Sequence, residues 1–81
     1  MGPGQGRLPQ VNDTVGITVG SGYSSQFYVG NITEINDNFL ALDMNLSAIL
    51  LSNGDKRKVT TYSPPKQICI GLGSITKIVW E

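Results

Sequence analysis

Hydrophobic and polar residues alternate along most of the chain, which is typical of strands rather than helices. Val15, Ile17 and Val19 alternate with glycine or threonine, the period of two that marks a half-buried strand. A second alternating run covers residues 26–35 and contains Gly30, where a strand must bend sharply or meet another backbone. The pattern therefore predicts two strands, of which the second is bent.

Polar turns divide the next apolar segments from one another. Asn36–Asn38 is predicted to be a tight turn, because Asn and Asp bond to their own backbone and accept left-handed dihedrals. Phe39–Met44 then returns as a third strand, antiparallel to the second because the loop is short. Residues 46–51 are apolar and fit either a continuation of that strand or a helical turn. Ser52–Asp55 is a strong turn signal.

The C-terminal third also has strand character. Val59–Tyr62 is predicted to be a strand, Pro64 and Pro65 to interrupt it, and residues 67–72 to resume it. After two glycines, residues 74–80 form the last strand. No stretch has apolar residues at helical spacing over three turns. We therefore predict an all-β fold without a substantial helix, namely a small, five-stranded, strongly bent barrel of the SH3-like type.

The first ten residues differ from the rest in composition. They contain three glycines and two prolines, which neither a helix nor a paired strand tolerates. We predict a flexible tail at residues 1–10 and one barrel domain at residues 11–81, since 81 residues cannot form two cores.

Composition excludes several classes of function. The chain has no histidine, so the commonest metal ligand and general base are missing, and we expect neither an enzyme nor a cofactor. Its one cysteine, Cys69, cannot form an internal disulfide and is expected to be buried within a strand. No apolar run approaches the ~20 residues of a membrane span, and no secretion signal is recognisable, so a cytoplasmic location is expected.

The middle of the chain resembles the Sm-like family, the ring-forming RNA-binding barrels that include the Sm and Lsm proteins and bacterial Hfq. The resemblance rests on residues 30–42, which match the first Sm motif: Gly30, an apolar residue two positions later, another three beyond that, a turn with an acidic residue, and an apolar strand. Residues 70–75 match the second motif in its apolar positions and have glycines nearby, with Gly71 where the family has a basic residue. The chain is thus similar to a divergent bacterial or phage-type member. Another small SH3-like barrel and a small sandwich are the alternatives.

The resemblance implies a closed homo-oligomeric ring, in which the last strand of one subunit pairs with the fourth strand of the next. We expect five to seven subunits. Sequence features favour assembly independently, because the last strand is apolar apart from one lysine, whereas exposed edges are usually protected by charge or proline. The expected interface residues are Ile75, Ile78 and Trp80. The alternative is that Trp80 packs onto its own barrel.

The resemblance also implies single-stranded RNA as the partner, and three segments could contact it. The first is Asn36, Asp37, Asn38 and Phe39, which offer amides to base edges and a ring for stacking. The second is Gly71 and Gly73, which would let a nucleotide approach the backbone. The third is Lys56, Arg57 and Lys58, half of the six basic residues of a chain with zero net charge. A simple hairpin turn with a core Phe39, a plain bend and a solvated hairpin face are the respective alternatives.

Two functions therefore remain open from the sequence. The first is an RNA chaperone or scaffold built as an Sm-like ring, which the basic triplet and the asparagine-rich turn favour. The second is a structural or protein-interaction ring that does not bind RNA, which the zero net charge and the glycine at position 71 favour.

Overall fold

The computed structural model describes residues 8–81 and contains five strands and one short 3-10 helix. The strands are β1 (Thr14–Val19), β2 (Ser24–Ile35), β3 (Phe39–Leu51), β4 (Lys56–Gly71) and β5 (Ile75–Trp80), and the 3-10 helix Leu72–Ser74 connects β4 to β5. Of the predicted tail, residues 1–7 lie outside the described residues, and residues 8–10 precede β1 without regular structure.

The strands form one antiparallel sheet in the order β4-β3-β2-β1-β5. The prediction of a five-stranded all-β fold without a substantial helix is confirmed, since a three-residue 3-10 helix is the only helix in residues 8–81. β4 and β5 follow each other in the chain but lie at opposite edges of the sheet. The sheet is therefore strongly bent but not closed into a barrel.

Strand length shows how far the sheet bends. A straight strand of 16 residues, the length of β4, would span about 50 Å at about 3.3 Å per residue. The molecule measures only 29 × 28 × 28 Å, so the long strands must curve. Bulges interrupt the register of β2 with β3 and of β3 with β4, each at two places. Such bulges bend a strand and increase its twist.

Gly30 permits the closest approach between β2 and β3. It pairs with Met44 beside a bulge at Asn45. A Cβ at position 30 would overlap the backbone of Asp43 and would lie 2.8 Å from the Cα of Met44, closer than real Cβ atoms come to a neighbour. Of the two expectations for Gly30, a sharp bend or a close approach of another backbone, the close approach is confirmed, because only a residue without a side chain fits between the two backbones.

The core lies on one face of the bent sheet. Ile32, Leu42 and Ile68 lie directly opposite one another on three adjacent strands, so their side chains share a face. The buried cluster on this face comprises Val15, Ile17, Ile32, Leu40, Leu42, Met44 and Ile70. Side chains of β5 pack against the same cluster. The sheet has therefore folded this face inward, and the alternation in β1 and β2 predicted three of these residues, Val15, Ile17 and Ile32.

The structure corrects one expectation about the β3–β4 hairpin and decides between the two alternatives left open for residues 46–51. Pro64 and Pro65 do not interrupt β4, which runs unbroken from Lys56 to Gly71. β4 is an edge strand, and the prolines lie in a segment with no residue opposite them on β3, so no ladder hydrogen bond is lost. Residues 46–51, open between strand and helical turn in the sequence, continue β3 to Leu51.

The expectation of a buried Cys69 is wrong, because its thiol is exposed. Cys69 lies in the edge strand β4 between Ile68, which is half-buried, and Ile70, which is buried. Side chains alternate between the two faces of a strand, so these isoleucines face the core and the cysteine faces away from it. On this edge strand, only one face of the apolar run Ile68–Ile70 is buried.

Replacing Gly30 with Val or Ala should lower the free energy of unfolding by at least about 2 kcal/mol, because the new Cβ would collide with backbone atoms that cannot rotate away. Urea unfolding measures the effect. Gly73→Ala is the matched control, since a Cβ at position 73 would meet no atom within 4 Å. Equal stability of the two variants would contradict the role assigned to Gly30.

Candidate nucleic-acid interface

The turn between β2 and β3 is held by the side chain of Asn36. Its Oδ1 accepts hydrogen bonds from the backbone N–H groups of Asn38, at 2.8 Å, and Phe39, at 3.0 Å. Its Nδ2 donates to the carboxylate of Glu34 at 3.5 Å. The predicted tight turn is confirmed, and the amide of Asn36 is used to build it.

The segment between β4 and β5 lies against this turn. The N–H of Leu72 donates to the backbone carbonyl of Asn38 at 3.0 Å, and Gly71 lies opposite Phe39 in the β3–β4 register. Residues 36–39 and 71–74 therefore form one surface, which we call the turn cluster. Two of the three segments predicted to contact RNA are brought together here.

The glycines of the turn cluster are not required by the fold. Gly71 has extended backbone dihedrals, φ −64° and ψ 133°, which any residue adopts. A Cβ at Gly71 would approach only the Oγ of Ser74, at 3.8 Å, and one at Gly73 would meet nothing within 4 Å. Neither position needs φ in the left-handed region. Packing therefore requires neither glycine, and both leave the backbone of the turn cluster exposed.

The polar side chains offered by the turn cluster are those of Asp37 and Asn38. Both are exposed, and neither side chain makes a hydrogen bond within the described chain. Phe39 is half-buried, so its ring is neither fully in the core nor fully available for stacking. An amide and a carboxylate can accept and donate hydrogen bonds at exposed base edges. The cluster itself contains no basic residue.

The third predicted segment lies at the other end of the hairpin. Lys56 and Arg57 open β4 and pair with Leu50 and Ile49 near the end of β3, whereas the turn cluster flanks the start of β3. The Nζ of Lys56 lies 5.1 Å from the centre of the Phe27 ring. The structure therefore does not bring the basic triplet Lys56, Arg57 and Lys58 into the turn cluster.

The predicted interface residues of β5 contact the chain's own core. Ile75, Ile78 and Trp80 are half-buried and pack against the central hydrophobic cluster. Much of the Trp80 side chain therefore packs onto its own sheet, as the alternative to an interface role expects. What β5 leaves open is its outer edge, because β1 is its only strand neighbour in the described part of the chain.

A groove marks the place where the sheet fails to close. It has a volume of about 390 Å³ and is lined by Val19, Tyr28, Ile68, Cys69, Ile70, Gly71 and Ser74. Val19 and Tyr28 belong to β1 and β2, and Ile68 to Gly71 end β4. The groove therefore runs along the C-terminal half of β4, which is an open edge of the sheet.

Other kinds of site lack support in residues 8–81. No group of three or more His, Cys, Asp or Glu side chains is placed to hold a metal ion. No helix in the same residues is long and apolar enough to cross a membrane. Comparison with known proteins found no matching family model, no similar curated protein and no similar solved structure.

Sequence reasoning missed two features of these surfaces. It did not foresee the bond from Leu72 to Asn38, since neither residue type signals a contact across 34 positions. It also treated Pro64 and Pro65 as a strand end. Proline is tolerated within a sheet only at an edge or a bulge, so the pair could have identified the edge strand.

Replacing Asn36 with Ala should lower the free energy of unfolding by about 1 kcal/mol, because two backbone N–H groups of the turn lose their acceptor. Asn36→Asp keeps an acceptor oxygen in the same place and should retain most of the stability. Urea unfolding of both variants is the measurement. A destabilised Asp variant beside a stable Ala variant would contradict the bonding described.

Proposed function

We propose that the protein is an Sm-like, ring-forming protein that binds single-stranded RNA. The observation that supports this best is the open sheet, in which β4 and β5 each have a strand neighbour on one side only within residues 8–81. An unpaired edge exposes backbone donors and acceptors and is a template for pairing with another chain. Pairing β5 of one subunit with β4 of the next would satisfy both edges.

The prolines of β4 restrict where such pairing can occur. Pro64 and Pro65 have no N–H to donate to a neighbouring strand, and they lie in the middle of β4. Beyond them, residues 66–71 form a regular ladder with β3. This stretch is as long as β5, which has six residues. The available stretch of the β4 edge therefore has the same length as the β5 edge.

The hydrogen-bond pattern identifies the groups that face outward on this stretch. The bond from Leu72 to Asn38 fixes the alternation of the antiparallel ladder, so Ile68 and Ile70 bond to β3. The N–H and carbonyl groups of Gln67 and Cys69 then point towards the open edge. The isoleucine side chains line the groove of about 390 Å³ beside it. A β5 strand of a second subunit docked here would hydrogen-bond to the outward backbone groups of Gln67 and Cys69. It would also cover the apolar surface of the groove.

A contact between two different edges is head-to-tail, and such contacts either close into a ring or continue as a filament. We propose closure, because the resemblance to the Sm-like family implies a ring. A chain of 81 residues without a disulfide also gains stability from surface buried between subunits. We propose a ring of five to seven subunits.

RNA binding is assigned to the turn cluster. Packing does not require its glycines, and the exposed side-chain amide of Asn38 makes no hydrogen bond within residues 8–81. In a ring the cluster would be repeated on every subunit, so weak contacts to successive nucleotides would add up. The protein would then act as an RNA chaperone or scaffold.

A structural or protein-interaction ring that does not bind RNA is the second candidate. It is favoured by the charge of the turn cluster, where Asp37 is exposed, Glu34 lies beside Asn36, and no basic residue offsets them. Phosphate contacts dominate the affinity of most nucleic-acid binders. The two candidates share the assembly and differ in the ligand.

The protein should have the mass of five to seven subunits at micromolar concentration, as measured by gel filtration with light scattering. Cys69→Pro should reduce it to the monomer, because proline removes an outward N–H from the proposed edge without breaking a bond to β3. Cys69→Ser is the matched control and should stay assembled. A monomeric wild type, or an assembled Pro variant, would contradict the proposed interface.

Asn38→Ala should weaken the binding of a labelled oligouridine roughly threefold to tenfold, the effect of one lost hydrogen bond, with little change in salt dependence because the contact is to a base. Fluorescence anisotropy at several salt concentrations is the measurement. Asn45→Ala, at an exposed position on β3, is the control and should bind as the wild type. Unchanged binding by Asn38→Ala would favour the structural ring.

A further inference from the structure

We infer that residues 8–10 cover the outer edge of β5 and compete with the strand that would pair there. We call this segment the N-terminal cover. The contact is autoinhibitory, because β5 cannot accept β4 of a second subunit while the cover is in place. The inference rests on the proposed function for the identity of the competing strand, but it concerns another segment and makes no use of nucleic acid.

A second groove, along β5, shows where the cover lies. It has a volume of about 380 Å³, and its walls are Pro9 on one side and, on the other, Ile75, Thr76, Lys77, Ile78 and Trp80. Four of these β5 residues are consecutive, and consecutive side chains point to opposite faces of a strand, so the groove follows an edge of β5 rather than one face. The other edge of β5 is paired with β1. Pro9 therefore lies beside the outer edge.

The backbone groups that an added strand needs face this groove. The N–H of Glu81 donates to the carbonyl of Thr14 at 3.1 Å, which fixes the alternation of the β1–β5 ladder. Val79 then bonds to β1, and the N–H and carbonyl of Ile78 point towards the outer edge. A paired strand would lie about 4.8 Å from β5, in the space that Pro9 borders. The cover must therefore move before a strand can pair.

A turn just before β1 holds the cover in this place. The N–H of Asp13 donates to the carbonyl of Gln10 at 3.1 Å, and the N–H of Gln10 donates to the Oδ2 of Asp13 at 2.8 Å. Asn12 has a φ of 78°, in the left-handed region that asparagine accepts more readily than most residues. Its N–H donates to the carbonyl of Ile32 at 2.8 Å, which anchors the turn on β2. The chain turns back here, with Pro9 beside β5.

The cover is suited to being displaced. Proline has no N–H, so Pro9 cannot donate a ladder hydrogen bond to β5. Within residues 8–81, β5 accordingly has no strand neighbour other than β1. The side chain of Leu8 is 80% exposed and buries little apolar surface. A strand with a full ladder of backbone bonds would replace such a cover, and the fraction of subunits whose edge is open would set the apparent affinity of assembly.

The first test is the concentration at which the assembly dissociates, measured as mass by light scattering over a dilution series of the full chain. Asp13→Ala removes the acceptor that closes the turn and should release the cover. The dissociation concentration should fall about threefold to tenfold, the effect of one lost hydrogen bond on the covered state. Asp13→Asn also removes the charge but keeps an acceptor oxygen, so it is the matched control and should dissociate as the wild type.

Trp80 gives a second readout that does not depend on assembly. It is the only tryptophan of the chain, it is half-buried, and it lines the groove with Pro9. In the Cys69→Pro background, which the proposed interface makes monomeric, Asp13→Ala should increase the quenching of Trp80 fluorescence by acrylamide, whereas Asp13→Asn should not. Pro9→Gly removes the wall of the groove without altering the turn, and it should change both readouts in the same direction as Asp13→Ala.

Three results would overturn the inference. Unchanged quenching in both Asp13→Ala and Pro9→Gly would show that the segment does not cover the edge. Increased quenching without a lower dissociation concentration would show that the cover does not compete with assembly. Weaker assembly of the two variants would show that the segment belongs to the interface itself. Increased quenching together with tighter assembly supports the inference.

The outcomes also distinguish this inference from the proposed function. If the wild type assembles, Cys69→Pro does not, and Asp13→Ala dissociates as the wild type, the proposed assembly holds and the cover fails. If the wild type is monomeric, the proposed ring fails for the unaltered chain. Assembly of Asp13→Ala alone would then still support the cover, and a monomeric Asp13→Ala would overturn it as well.

Discussion

The architecture depends on the contact between the backbones of β2 and β3 at Gly30. At this point the two chains approach so closely that a single Cβ would overlap the backbone of Asp43. The approach occurs beside a bulge, and bulges bend strands. The sheet curves so strongly that its 16-residue strand fits in a molecule less than 30 Å across, and side chains from all five strands meet in one core.

The surface chemistry is divided between the two ends of the β3–β4 hairpin. The sheet curves without closing and so keeps two edges, and the 13 and 16 residues of β3 and β4 separate the two ends of the hairpin. Residues 36–39 and 71–74 meet at one end, joined by the bond from Leu72 to Asn38. The basic residues Lys56, Arg57 and Lys58 lie at the other end. Pro64 and Pro65, between them on β4, divide its open edge into two parts, of which residues 66–71 adjoin the groove.

Much of the fold was predictable because its signals are local. Alternation identified Val15 and Ile17 as core residues, and the turn at Asn36–Asn38 was predicted from side-chain chemistry that acts within three residues. The close approach at Gly30 was one of the two uses predicted for a glycine in an alternating strand. Errors arose where the answer depends on neighbouring strands: Cys69 is exposed and Pro64 is tolerated because β4 is an edge.

The sequence by itself determined the all-β class of the fold, the number of its strands, and Val15 and Ile17 as residues of its core. Each follows from hydrophobic periodicity and turn chemistry, which act over a few residues. Only the tertiary structure decided which strands are edges, that Leu72 meets Asn38, and that Lys56 lies over the ring of Phe27. These are contacts between segments distant in the chain, and their energies depend on a geometry that no local pattern encodes.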